Sequence, residues 1–246
     1  MLSVTNLGVA YQATPVLTQI NFTVAPDEIL AVVGPSGAGK TTLLKALTQM
    51  LPSTGTITLN GDPISPKQHT LALVPQSYGL LPWKTVRQNI ALAVQIRQHH
   101  KLSPEQEQAV DDLMATLGLT AIAKRYPGAI SGGQAQRVAL ARAFCLRPDL
   151  LMLDEAFSAL DTVAKATAQR LFLQQWQQRP VSTLLITHNL DEALNLANKL
   201  LILADGTGTL WANPLADLEA GSRDQAPAYA EVRATLQREV TAAWHD

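Results

Sequence analysis

The chain has 246 residues, of which 47% are hydrophobic and only 16% charged. That balance excludes intrinsic disorder, which needs a charge-rich chain poor in Val, Ile and Leu. Nineteen basic side chains against 20 acidic ones give a net charge of -1, without the basic excess that a phosphate-backbone binder uses for counterion release, so nucleic acid is disfavoured as a main partner. At about 150 residues per domain, the length suits one large domain or a domain with a subdomain. No apolar run approaches the roughly 20 residues that cross a bilayer, and Met1 to Ala10 lack the shape of a secretion signal, so a cytoplasmic location is expected. The single cysteine, Cys145, shares a helical face with Val138 and Ala141 and is expected to pack in the core.

Residues 3 to 33 read as short strands. Val4 to Leu7 come first, then Ile20, Phe22 and Val24 alternating with polar residues, then the continuous apolar run Ile29 to Val33 after the turn residues Pro26 and Asp27. The last run suits a strand buried on both faces. A glycine-rich turn, Gly34 to Gly39, and a helical stretch, Thr41 to Met50, follow at once, which is an α/β opening. From about Lys84 to Gly128 the pattern is helical. Val86, Ile90 and Val94 mark one face, and a second helix starts at Ser103 with Pro104 at its first position and Gln106 completing a capping box. Its stripe is Val110, Leu113, Met114 and Leu117, and it stops at Gly118.

Strand and helix then alternate: a helix around Gln134 to Leu146, a strand Leu150 to Leu153, a helix Thr162 to Gln178, a strand Thr183 to Ile186, a helix Asp191 to Asn198 and a strand Lys199 to Leu203. A mostly parallel sheet is the expected scaffold. After the turn-rich Asp205 to Gly208, the residues Tyr229, Val232, Leu236, Val240 and Trp244 recur at three or four behind Pro227, so a helical tail over about 206–246 is expected to pack on the body.

Gly34-Pro35-Ser36-Gly37-Ala38-Gly39-Lys40-Thr41 fits the phosphate loop G-x-x-x-x-G-K-[ST], between an apolar strand and a helix opened by Thr42. Glycines let the backbone aim successive N–H groups at phosphate oxygens, and the helix N-terminus adds about half a positive charge. Lys40 suits the β and γ phosphates, and the Thr41 hydroxyl suits Mg²⁺. Leu150 to Leu153 run into Asp154 and Glu155, two carboxylates at the sheet edge where ligands bind. The acids divide the work: Asp154 toward the metal and its water shell, Glu155 as general base for the attacking water. His188 follows another apolar strand and is expected at the same edge as a polar sensor or transition-state contact. His69, His99, His100 and His245 lack such context and are expected to be solvated.

These elements in this order resemble the ATP-binding cassette (ABC) ATPases. The feature that separates that group from other phosphate-loop proteins is Ile130-Ser131-Gly132-Gly133-Gln134-Ala135-Gln136-Arg137, similar to the cassette signature. Tyr11, Gln76 in Val74-Pro75-Gln76, and Ser158-Ala159-Leu160-Asp161 complete the match. The resemblance implies an α/β phosphate-loop NTPase of ABC type: a mostly parallel core sheet, an N-terminal antiparallel β subdomain, and a helical subdomain inserted at about 77–130, all within one domain spanning 1–246. It also implies that Tyr11 stacks on adenine, that Gln76 contacts Mg²⁺ and senses the γ-phosphate, that Asp161 belongs to the D-loop, and that Ser131, Gly132, Gly133 and Gln134 bind the ATP of an opposite subunit. Ser131 to Gly133 precede a helix and so offer a second anion-binding terminus. With one set per chain, two copies pair head to tail, most simply as a two-fold homodimer.

Leu80-Leu81-Pro82-Trp83-Lys84-Thr85-Val86, with Asn89-Ile90 after it, is similar to the importer ATPases of the nitrate, sulfonate and taurine group; iron, polyamine and thiamine importers use similar stretches. The implied protein is a peripheral ATPase on the cytoplasmic face of the membrane, working with ATP and Mg²⁺, with separate integral membrane permease subunits and an extracytoplasmic solute-binding protein. Export is the alternative within transport. A non-transport cassette acting on nucleic acid ranks last, since the chain shows no long coiled-coil insert, second cassette or basic surface. Ala156 departs from the family pattern, in which proline follows the glutamate, and is expected to loosen that turn slightly.

Overall fold

The structure, a computed structural model, describes residues 1–245, and of His245 the backbone alone. Its first elements are β1 (Leu2–Tyr11), β2 (Thr14–Val24), β3 (Ile29–Val33), α1 (Lys40–Leu47), β4 (Thr54–Leu59), β5 (Asp62–Pro63), β6 (Leu71–Val74), α2 (Val86–Gln98), α3 (Pro104–Thr116) and α4 (Gly132–Cys145). There follow β7 (Leu150–Asp154), α5 (Thr162–Gln178), β8 (Thr183–Ile186), α6 (Leu190–Leu196), β9 (Lys199–Ala204), β10 (Thr207–Ala212) and α7 (Tyr229–His245). The chain divides into two compact units: Met1–Leu71, Asp149–Glu155 and residues from Pro180 onward form one, and Ala72–Pro148 with Ala156–Arg179 form the other. The second unit is wider than the insert expected at about 77–130, because it also takes in α4 and α5.

In the first unit, β3 is buried along its whole length and pairs in parallel with both β8 and β9, as its unbroken apolar run requires. β8 pairs in parallel with β7, and β10 closes the other side antiparallel to β9. A separate antiparallel sheet runs β2-β1-β4-β5. Its alternating residues, Leu2, Val4, Leu7 and Val9 on β1 and Leu17, Ile20, Phe22 and Val24 on β2, are all buried. The helical tail expected over about 206–246 is corrected here: it opens with strand β10. Asp205 (φ 43) and Gly206 (φ 77) form the two-residue turn of a hairpin, the left-handed Asp-Gly pairing whose twist matches the strands on either side. Only α7 is helical in the expected way. Its Leu236 and Val240 are fully buried, and the helix packs on α6 and β9.

The second unit is built by one device used three times. Thr85, Ser103 and Ser131 each cap a helix and each pairs with a glutamine three residues on, Gln88, Gln106 and Gln134, in a reciprocal capping box. The stripes behind these caps meet, together with Leu171 of α5, in a core of Val86, Ile90, Val110, Met114, Leu117 and Val138, against which the half-buried Cys145 packs. Burial raises the Cys145 thiol to about 11, which keeps it protonated and inert at neutral pH. Arg142 of α4 donates from both terminal nitrogens to the Tyr78 and Gly79 carbonyls, at 2.6 Å each, fastening the loop after Gln76 to the signature helix.

The histidine expectations divide. His99 and His100 are exposed, whereas His69 is buried, its Nδ1 accepting the Ser65 N–H at 3.2 Å. A turn that needs an acceptor has drawn the ring in. The side chain of His245 lies outside the described residues. No helix among the described residues is long and apolar enough to cross a membrane.

The apolar face of α7 gives a direct test of how firmly the tail is docked. Leu236→Ala is expected to destabilise the protein by about 2–5 kcal/mol in a urea titration, while Leu218→Ala, at a half-exposed position, changes it by no more than about 0.5 kcal/mol. Equal, small effects would mean that the tail packs loosely.

Candidate functional site

Strand register gathers the first site. Val32 lies opposite Ile186, and Ile186 opposite Asp154, so the chain leaves β3, β8 and β7 at one edge of the sheet, where open α/β sheets bind ligands. The loop 34–39 leaves β3 and turns into α1 through Gly39. This residue has φ 95, and a Cβ on it would lie 2.6 Å from Leu17 Cδ2, so glycine is required both by backbone conformation and by the close approach of β2.

Lys40 begins α1 and folds back over the loop, donating from Nζ to the Gly34 and Pro35 carbonyls at 2.7 and 2.8 Å. Burial holds its ammonium below the ordinary lysine range, with the Glu155 and Asp154 carboxylates pulling the other way. Asp154 behaves in reverse: burial first, and then the Glu155 charge, push its carboxyl above the ordinary range, against the pull of Lys40. Two carboxylates and one ammonium thus stand half-buried beside a loop rich in N–H donors, the donor set that a metal-bound polyphosphate would complete.

Glu155 adopts a left-handed conformation, φ 47, uncommon for a residue with a side chain and concentrated at functional sites. Its N–H donates to the Ile186 carbonyl at 3.0 Å, which ties it to β8. His188, two residues beyond Ile186, lies with Nδ1 3.4 Å from Glu155 Oε1. A cavity of about 290 Å³ opens between Ser36, Gly37, Gly39, Lys40, Thr41, Thr42 and Glu155. The Tyr11 ring, at the end of β1 in the same unit, is exposed. Ala156, where the resemblance leads one to expect proline, is fully buried.

The second unit carries its own site. Ser131 is the N-cap of α4, so Gly132 and Gly133 form its first turn, and the helix begins two residues earlier than the apolar pattern indicated. The glycines have no side chains to impede an approaching anion, and the helix dipole favours one. A cavity of about 450 Å³ is lined by Ser131, Gly132, Gly133, Arg137, Asp161 and Val163, among others. Asp161 caps α5, accepting the N–H groups of Val163 and Ala164 at 3.0 and 2.9 Å. Gln134 closes the capping box, and Gln76 lies exposed just beyond β6.

Residues that sequence reasoning missed surround His188. Thr187 donates to Glu192 Oε2 at 2.6 Å, and Asn189 N–H donates to the Thr187 hydroxyl at 3.0 Å. Asn189 also caps α6 through the Glu192 N–H. The spacing Asn189-x-x-Glu192 is a cap signature visible in the sequence; the buried Thr187–Glu192 bond leaves no such trace.

The chain is similar in sequence and in fold to components of ABC transporters. A family model described as ABC transporter matches residues 17–158. The nitrate import ATP-binding protein NrtD of Synechococcus elongatus is 41% identical over 191 residues, 77% of this chain and 70% of that protein. The taurine import ATP-binding protein TauB of Escherichia coli (strain K12) is 39% identical over 209 residues, 85% of this chain and 81% of that one. A solved ATP-binding subunit of an ABC transporter superposes with a TM-score of 0.79 at 26% identity, covering 98% of this chain and 99% of that one. The dimeric bacterial ABC transporter cassette MJ0796 shares the fold, with a TM-score of 0.75 at 22% identity over 86% of this chain and 98% of its own.

The environment of Asp154 predicts a gain of stability from losing a functional charge. Because its native pKa is raised, the native state binds more protons than the unfolded state between the ordinary 3.8 and the native value, so this group's contribution falls as pH rises through that window. Asp154→Asn is therefore expected to raise the thermal midpoint at pH 7, with the gain vanishing as pH falls below 3.8. Melting curves across pH check this; a midpoint lowered at pH 7 contradicts it.

Proposed function

The chain belongs to the ABC transporter family, and on that premise we propose that it is the ATP-hydrolysing subunit of an importer driving uptake of a small nitrate-, sulfonate- or taurine-like solute through a separate membrane permease. The reading is carried by the convergence of Lys40, Asp154, Glu155 and His188 beside the phosphate loop. The nitrate and taurine import relatives support both the direction of transport and the solute class.

In this reading the N–H groups of 34–39 and the α1 N-terminus receive the β and γ phosphates of ATP. The Lys40 ammonium exchanges the Gly34 and Pro35 carbonyls for phosphate oxygens, and the exposed Tyr11 ring stacks on adenine. Glu155 takes the proton of the water that attacks the γ-phosphorus, and its left-handed backbone aims the carboxylate into the cavity. His188, beside Glu155, orients that carboxylate and contacts the transferred phosphoryl group. Thr41 and Asp154, with Gln76 as the resemblance implies, are the residues to hold Mg²⁺, which supplies charge neutralisation at the phosphates.

Ser131, Gly132, Gly133 and Gln134 present the second anion site to the γ-phosphate bound by another copy, with Asp161 beside it. ATP then joins two chains head to tail, and hydrolysis removes the bridge. The dimer works peripherally on the cytoplasmic face of the membrane, against the permease and with an extracytoplasmic solute-binding protein on the other side.

Glu155→Gln is expected to bind ATP and dimerise in its presence but to turn over at least about a hundredfold more slowly; hydrolysis at the native rate would refute the general-base assignment. Mixing a Ser131→Arg chain with a Lys40→Met chain leaves one intact composite site per mixed dimer. The mixture is expected to regain activity that neither parent has, and no gain over the parents argues against a shared site.

A further inference from the structure

The family model matches residues 17–158 and so stops before His188, α6 and the tail alike, and the chemistry above gives the tail after β10 no task. It is nevertheless fastened to α6, the helix that leaves His188. Near the start of α6, Asp191 accepts from the Tyr229 hydroxyl at 2.9 Å and from Arg233 Nε at 2.8 Å. At the far end, Arg223 is 2% exposed and donates to the Ala197 carbonyl at 2.6 Å, while Asn213 Nδ2 donates to the Leu194 and Ala197 carbonyls, each at 2.8 Å. These donors satisfy the orphan carbonyls of the helix end, where a cation is also favoured by the dipole.

α6 is seven residues long, too short to hold itself in place by its own hydrogen bonds. The His188 side chain is 62% exposed, so packing does not fix it either. Its flanking residues hold it between sheet and helix: the Thr187 N–H donates to the Val32 carbonyl of β3, and Thr187 and Asn189 are both bonded to Glu192 of α6, so a shift of the helix is passed to the residues on either side of the histidine. We propose that the C-terminal segment is a clamp on α6 that positions His188 against Glu155, with Arg233 and Tyr229 as its adjustable positioning residues and Arg223 as its fixed anchor. The proposal rests on the role given to His188 above. Tyr229 and Arg233 touch no reacting atom; they act through Asp191.

The test uses the full chain with ATP, in Arg233→Ala and in Tyr229→Phe, which removes only a hydroxyl and carries the test should the alanine variant fold poorly. The expected result is a kcat lowered about three- to tenfold with KM for ATP within about twofold of native, together with a changed Cε1–H resonance of His188 in histidine-labelled protein. Pairing Asp191→Arg with Arg233→Asp is expected to restore part of the loss in kcat. A merely structural tail gives lowered melting temperatures with native kcat and an unmoved His188 resonance, and either of these last two results overturns the clamp. His188→Ala in the same assay separates the two readings: if that variant hydrolyses ATP at the native rate, the role of His188 fails and the clamp with it. If it is slow while the tail variants are native, the clamp alone fails.

Discussion

Parallel hydrogen bonding between β3, β8 and β7 is the constraint on which the first site depends. Once Val32, Ile186 and Asp154 stand abreast, the phosphate loop, the carboxylate pair and His188 have to emerge at one edge, although 154 and 188 lie more than a hundred residues along the chain from the loop. The cost of bringing such distant segments together is met by burial: every residue of β3 and β8 is buried. The apolar strands therefore supply both the stability of the fold and the alignment of the chemistry.

What that alignment assembles is electrostatically unfinished. The Asp154 carboxyl is held above its ordinary range and the Lys40 ammonium below its own, burial being the first cause in each case. Lys40 spends its donors on the carbonyls of its own loop, and Glu155 occupies a left-handed backbone. The first two are electrostatic costs that an anion near the ammonium and a cation near the carboxylates would reduce, while the third is a backbone cost met by the packing around it. The helical unit follows a related logic with less strain. Its capped helix starts are satisfied by side chains, and one of them, Ser131 to Gly133, is left open enough for an anion to approach.

How much of this was legible in the sequence varied with the range of the interaction. Capping boxes and loop glycines act over three or four residues, and Ser103, Pro104 and Gln106 mark the start of α3 where the structure has it. The Asp205-Gly206 hairpin was equally local but was hidden by its place beside a helical tail, so β10 went unread. His69 looked solvated because nothing near it in sequence announces a turn that lacks an acceptor.

Residue order was enough for the alternation of strands and helices from α4 to β9, the glycine-rich loop 34–39, the acidic strand end and the helix capped by Ser131, because each is written in short-range periodicity, cap chemistry and backbone permissiveness. Tertiary structure alone decided the left-handed turn at Glu155, the hold of Arg142 on Tyr78 and Gly79, the burial of Thr187 against Glu192, and the fastening of α6 by Arg223, Tyr229 and Arg233. Those interactions join residues up to dozens of positions apart, and their strength comes from desolvation and exact donor placement, quantities that come into being only when distant segments pack.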